Sequence, residues 1–186
     1  MLNTNPAPSD AATMNSTHSN PPATTDLCDA HKAAEPEGWF RVLPQVFKSF
    51  GAKAAFFGPV VTVKCFEDNS RVKELVESAG DLAQGGRVLV VDGGGSLRQA
   101  LLGGNLGAAA ARNGWAGVVV DGCVRDVNEL SACQVGIYAL ASVPMPTVRK
   151  GQGEVGVPVR LRGVWVRPGD WLYADADGIV ITDRAL

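Results

Sequence analysis

Histidine is nearly missing from this chain, and the two that are present, His18 and His31, both lie close to the N-terminus. A histidine-based catalytic triad or a multi-histidine metal centre therefore has almost no raw material. The four cysteines, Cys28, Cys65, Cys123 and Cys133, stand singly in apolar or strand-like contexts, without the CxxC or histidine-spaced patterns of zinc sites. They read as buried reduced thiols, which behave as small hydrophobes, and not as a disulfide framework. Any metal must then rely on carboxylates and water, which favours Mg²⁺ or Mn²⁺. An excess of positive charge is also lacking. The 17 Lys and Arg are scattered and set against 19 Asp and Glu, so there is no basic face for nucleic-acid phosphates and direct nucleic-acid binding is not expected. No apolar run approaches the roughly 20 residues that cross a bilayer, so no membrane association is expected. The start lacks the charged-then-apolar pattern of a secretory signal, and residues 1–24 hold no Arg or Lys, against a mitochondrial transit peptide. A cytoplasmic protein is expected.

What is present is a chain of 186 residues, 46% hydrophobic, the size of one domain with a substantial core. Residues 1–24, rich in Asn, Thr, Ser, Pro and Ala, read as a disordered tail, and residues 25–186 as a single folded domain. Thr24 or Thr25 is expected to cap a short helix through Ala30. The segment Lys53 to Cys65 is broken by Gly58-Pro59 and reads as two short strands around a bend. Ser70 to Ala79 has helical spacing and meets a stop at Gly80. Val88 to Val91 and Gly117 to Val120 are apolar throughout, as strands covered on both faces are, and a helix from about Asn105 to Arg112 between them makes a β-α-β unit. Gly136 to Leu140, Val155 to Val159, Val164 to Val166 and Gly178 to Ile181 read as further strands, the last two joined by the turn Arg167-Pro168-Gly169-Asp170. These elements predict an α/β fold of mixed sheets with flanking helices.

Three segments carry candidate chemistry. Gly93-Gly94-Gly95-Ser96 follows the first buried strand; it is either a phosphate cradle or a tight turn packed on a neighbouring strand or subunit, and it matches neither the P-loop nor a strict GxGxxG. Leu102-Gly103-Gly104-Asn105-Leu106 opens a helix whose free amides and dipole favour a carboxylate. Arg125-Asp126 with Glu129 follows the second buried strand, and ligands in α/β folds collect beyond the carboxyl ends of such strands. A buried Arg125 beside Asp126 would keep that carboxylate ionised and ready for a cation. Asp92 and Asp121 also sit at strand ends; Asp92 either supports the site or caps its turn. Asp170, Asp175 and Asp177 around Trp171-Leu172-Tyr173 lack the spacing of an EF-hand and read as solvated hairpin turns. Arg149-Lys150 and Arg160 with Arg162 read as solvated faces or parts of a subunit interface.

The segments VKCFEDN at 63–69, VVDGGGSLR at 90–98, NGWAGVVVDGCVRDVNEL at 113–130 and GDWLYADADGIVI at 169–181 resemble, in order and spacing, the RraA-like family. That family contains the bacterial regulator of ribonuclease activity A and the 4-hydroxy-4-methyl-2-oxoglutarate aldolases. The resemblance runs from about Asp26 to Asp183. It implies a swivelling β/β/α domain, assembled as a homotrimer or a dimer of trimers. For the aldolases it implies metal-dependent cleavage of 4-hydroxy-4-methyl-2-oxoglutarate to pyruvate, with oxaloacetate decarboxylation as a companion activity. For the regulators it implies binding and inhibition of a ribonuclease E-type partner. The aldolase motif has Arg-Asp followed after two residues by Glu or Asp, matched here by Arg125, Asp126 and Glu129. By resemblance Asp126 ligates Mg²⁺ or Mn²⁺ largely through waters, Arg125 holds the pyruvyl oxygens, and the backbone around Gly103, Gly104, Asn105 and Leu106 receives the substrate carboxylate. Many aldolase members carry an acid where this chain has Gly104, a departure that bears on proton transfer.

Overall fold

The computed structural model describes residues 21–81 and 85–186. Most of the segment expected to be a tail, residues 1–20, lies outside that range. The chain runs through α1 (Thr24–His31), a 3-10 turn (Lys32–Glu37), β1 (Phe40–Val42), β2 (Lys48–Ser49), β3 (Phe56–Lys64), α2 (Ser70–Val76), β4 (Val88–Asp92), β5 (Ala100–Leu102) and α3 (Gly104–Arg112). It continues with β6 (Gly117–Val124), α4 (Val127–Leu130), β7 (Gly136–Ser142), β8 (Glu154–Val155), β9 (Val159–Leu161), β10 (Val164–Val166), β11 (Trp171–Ala174) and β12 (Ile179–Thr182).

A mixed sheet in the order β1-β12-β11-β3-β4-β6-β7-β2 organises the domain, with β5 on β6, β8 on β3, and β9-β10 as a separate hairpin. Strands β3, β4, β6 and β7 are parallel. Their side chains alternate between two buried faces. Leu89, Val91, Val118, Val120 and Ile137 pack under α2, α3 and α4, while Val88, Val90, Val119 and Tyr138 pack against the β9-β10 hairpin, β11 and β12. The result is helices, parallel sheet and a second β layer, the mixed α/β architecture expected from the sequence, and it explains why these strands read as continuous apolar runs.

Several boundaries differ from the sequence reading. The expected two strands around Gly58-Pro59 are one strand, β3, that changes partners there: Phe56–Pro59 pair antiparallel with β11, and Val60–Lys64 pair parallel with β4. Gly58 permits the change, since a Cβ would lie 2.3 Å from the Gly86 carbonyl oxygen. The expected strand Val155 to Val159 is two, β8 and β9, on different neighbours. Trp171–Ala174 is strand β11, so the turn 167–170 joins β10 to β11 and not to the final strand. Its Asp170 is buried and pairs with Arg41 at 3.0 Å, unlike the solvated turn expected. Thr24 does not cap α1 but belongs to it, and its hydroxyl donates to Asp175 Oδ1 at 2.6 Å. Helix α2 ends at Val76; Gly80 serves instead to let the chain pass the backbone of Trp115, whose nitrogen a Cβ would approach to 2.4 Å.

The loops at the carboxyl edge of the parallel strands are tied together by Asp68 and Asn69. Asp68 accepts the amides of Ser70 at 2.8 Å, Lys150 at 2.6 Å and Gln152 at 3.2 Å. Asn69 donates to the Leu101 carbonyl at 3.1 Å and accepts Arg149 Nε at 3.1 Å. Arg149 is thus a strut of this edge and not merely a solvated face. Burial penalises the charged form of Asp68, but the hydrogen bonds from Ser70, Lys150 and Gln152 outweigh it and bring its pKa down to about 2. A carboxylate depressed on folding adds stability above its ordinary pKa of about 4, and that stability is lost as pH falls towards the folded value. Asp68→Asn is expected to be less stable than the parent at pH 7, with the gap closing as pH drops from about 4 to about 2. Urea denaturation at a series of pH values measures it, and a constant gap would contradict this account.

Candidate active site

Strand β6 is buried along all eight residues. The chain therefore reaches its first accessible polar side chains where the strand ends, at Arg125 and Asp126. The Arg125 amide is held by the Leu102 carbonyl at 2.9 Å, which sets the end of β6 beside the end of β5 and hence beside the start of α3. Asp126 then turns the backbone with φ 57° and ψ 48°, the left-handed region that Asp tolerates better than most residues, and α4 begins immediately after it.

That turn brings two distant segments together. Asp126 Oδ2 accepts the Gly104 amide at 3.2 Å and lies 3.3 Å from Arg125 Nε. Gly103 lies in ordinary extended backbone and is required for space: a Cβ there would be 2.7 Å from Asp126 Oδ2 and 3.1 and 3.2 Å from Arg125 Cγ and Nε. At Gly104 a Cβ would be 1.8 Å from Glu129 Oε2. Arg125, Asp126, Glu129, Gly103 and Gly104, all singled out from the sequence, therefore form one constellation. Arg125 is not buried as expected. Its side chain is 39% exposed and that of Asp126 36%, so both are open to a ligand.

The amides at the start of α3 are less free than the sequence suggested. That of Gly104 is held by Asp126, and those of Leu106 and Gly107 by the Gly103 carbonyl at 3.0 and 2.9 Å. Among the described residues no hydrogen bond engages the Asn105 amide. A cleft of about 270 Å³ opens beside the pair, lined by Arg125, Asp126, Val127, Ser142, Val143 and Pro144. The three residues from the end of β7 were not picked out from sequence, although their position beyond a parallel strand is the signal that could have found them.

The other candidates lie elsewhere. Asp92 Oδ1 accepts the Gly94 amide at 3.0 Å, so Asp92 shapes its own turn, and no hydrogen bond or ion pair joins it to Arg125 or Asp126 among the described residues. The amides of Gly93 and Gly95 both donate to the Asp121 carbonyl at 3.1 Å, and Gly93 packs so closely on β6 that a Cβ would lie 2.7 Å from that oxygen. The glycine turn is therefore packing, with its amides spent. Asp121 is inside β6 and not at its end. Burial pushes its carboxyl upward, Arg162 at 3.7 Å opposes the rise and Asp92 adds to it. Arg162 thus faces a buried acid and not solvent alone.

The donor set suits a hard divalent ion held largely through water. One carboxylate, Asp126, lines the cleft with Oδ1 engaged by no hydrogen bond among the described residues. No group of three or more His, Cys, Asp or Glu side chains converges among the described residues, so waters and a substrate would have to complete any coordination shell. Gly103→Ala should push Arg125 and Asp126 aside while displacing only side-chain atoms. The Gly104 amide, held by Asp126 in the parent, is expected to exchange about tenfold faster with deuterated water in Gly103→Ala, with little change in the urea midpoint. Unchanged exchange would show that Gly103 does not set the position of this pair.

The family model described as RraA-like, Aldolase/RraA, matches residues 24–181. A relative from Albidiferax ferrireducens, provisionally named a 4-hydroxy-4-methyl-2-oxoglutarate aldolase, is 66% identical over 163 residues, covering 86% of this chain and 94% of its own. Among solved structures, the RNA-processing inhibitor RraA from Thermus thermophilis superposes with a TM-score of 0.81 at 48% identity, over 89% of this chain and 94% of that one. A protein from Geobacillus kaustophilus described as S-adenosylmethionine:2-dimethylmenaquinone methyltransferase superposes with a TM-score of 0.80 at 40% identity, over 88% and 96%. A family match that spans most of the chain, together with relatives at this identity over nearly their whole length, shows that the chain belongs to the RraA-like family.

Proposed function

We propose that this protein is a divalent-metal-dependent lyase for pyruvyl substrates, cleaving 4-hydroxy-4-methyl-2-oxoglutarate to pyruvate and decarboxylating oxaloacetate. The observation that carries the reading is the Arg125-Asp126 pair at the end of β6, with Asp126 locked on the Gly104 amide and both side chains opening on one cleft. The aldolase name carried by the relative at 66% identity supports it.

Both reactions pass through the enolate of pyruvate, and the chain's residues match what that requires. Arg125 presents a planar, permanently charged donor that can grip the keto-acid oxygens and stabilise charge as it develops on the former keto oxygen. The Asn105 amide, at the positive end of α3, is the open donor for the substrate carboxylate. Asp126, oriented by its bond to the Gly104 amide, would hold Mg²⁺ or Mn²⁺ through waters, and such an ion would supply Lewis acidity for the developing negative charge. Val143 and Pro144 give one wall of the cleft an apolar character that limits water around the reacting carbons. A homotrimer or pair of trimers is the assembly we propose.

A second reading, a protein that binds and inhibits a ribonuclease E-type partner in the cytoplasm, is favoured by the likeness to the Thermus inhibitor. The two are separated by one assay: pyruvate release from each substrate with Mg²⁺ or Mn²⁺ and then EDTA, for the parent and for Asp126→Asn, which keeps a residue tolerant of the left-handed turn. Metal-dependent turnover that falls about a hundredfold or more in the variant is expected. Turnover no higher than the metal-only background would overturn the lyase reading and shift attention to partner binding.

A further inference from the structure

The carboxylates of Asp126 and Glu129 approach Gly104 from two sides and are not equivalent. Asp126 is committed, its Oδ2 shared between the Gly104 amide and Arg125 Nε. Glu129 is not. Among the described residues no hydrogen bond or ion pair engages its side chain, and it is exposed. Its Oε2 occupies the place where a residue-104 side chain would begin, and its Cβ and Cδ are each 2.8 Å from that point. Only glycine at 104 leaves this seat. Two glycines one helical turn apart on α3 make it, because Gly107 in the same way admits Leu130 Cδ2, which a Cβ would meet at 2.6 Å. Helix α4 is thereby held close against α3, with Glu129 over the opening of α3 and beside Asp126.

We infer that Glu129 is the group that exchanges protons with the substrate in aldol cleavage, an inference that rests on the lyase reading above. The reaction needs an acceptor that is near the pair and not already bound, and Glu129 is the carboxylate of this constellation that meets both conditions. Glu129 takes the proton of the C4 hydroxyl as the C3–C4 bond breaks. The bonding electrons move onto C3 and through C2 to the keto oxygen, while C4 becomes the keto carbon of the first pyruvate. The same carboxyl then returns its proton to C3, giving the second pyruvate and restoring the carboxylate, so no further reactant is needed. Decarboxylation of oxaloacetate makes no such demand. Carbon dioxide leaves without a proton being removed, and the enolate can take its proton from water.

This asymmetry gives the test. With Mg²⁺-loaded protein, Glu129→Gln is expected to lose aldol cleavage and the exchange of pyruvate methyl protons with deuterated water by about a hundredfold. Oxaloacetate decarboxylation and pyruvate affinity by calorimetry should stay within about threefold of the parent. Gly104→Ala, whose Cβ would meet Glu129 Cβ as well as Oε2 and so move the start of α4, should lose aldol cleavage as well. Parent-like aldol cleavage or methyl exchange in Glu129→Gln, or a parallel fall of decarboxylation and pyruvate affinity, would overturn the inference, the latter because it would mark a merely structural residue. Full aldol cleavage in Gly104→Ala would overturn it as well. A parent protein inactive on both substrates would instead bring down the lyase reading itself, so the two failures are distinguishable.

Discussion

The placement of the site's charged residues follows from the complete burial of β6. A strand covered on both faces by helices and by a second β layer has no room for an ionised side chain along its length, except at a cost of several kcal/mol. Asp121 is the one acid tolerated there, with Arg162 beside it and its carboxyl pushed upward by burial. The remaining charge is displaced to the strand's carboxyl end, where the chain emerges between the start of α3 and the end of β7. Arg125 and Asp126 are the first residues of β6's extension that can be both charged and hydrated.

What then shapes the site is the removal of side chains more than their addition. Gly103 clears the space that the guanidinium and carboxylate fill, Gly104 clears the seat of Glu129, and Gly107 lets Leu130 settle against α3. Closeness of backbone lets a single amide, that of Gly104, fix the orientation of Asp126. Behind this, Asp68 and Asn69 hold the loops around β5 and residues 149–152, so the end of β5 that grips the Arg125 amide is itself braced. The left-handed conformation at Asp126 is a local expense of the kind that surrounding structure must enforce, and this bracing is what enforces it.

The parts of this that could be read from sequence are those with a local signature. Buried parallel strands announce themselves as apolar runs, so β4 and β6 and the helix between them were legible, as was the Arg125-Asp126 pair beyond β6. Family-specific motifs pointed to the architecture as a whole. Strand β3 was misread because a glycine-proline pair ordinarily marks a bend, and nothing local says that a strand continues through it while exchanging one neighbour for another. Strand β11 was hidden by the acids that flank Trp171 and Tyr173, since composition cannot show that Asp170 would find Arg41 from 129 positions earlier. The same limit applies at the site. Gly104 and Glu129 were each conspicuous, but that one is the socket of the other is a fact about helix packing, and spacing along the chain carries no distance between α3 and α4.

The ring of Phe56 lies across the neighbouring strands β6 and β7 at Gly117 and Gly136, where added Cβ atoms would come within 2.2 and 1.9 Å of its atoms. Three residues 19 to 80 positions apart in sequence thus share one volume. They can diverge only in concert. A lineage that acquires alanine at either glycine position must already carry a smaller residue at the aromatic one, so the order in which such changes accumulate is constrained as well as their combination, and a chimera that mixes the two solutions would inherit the clash.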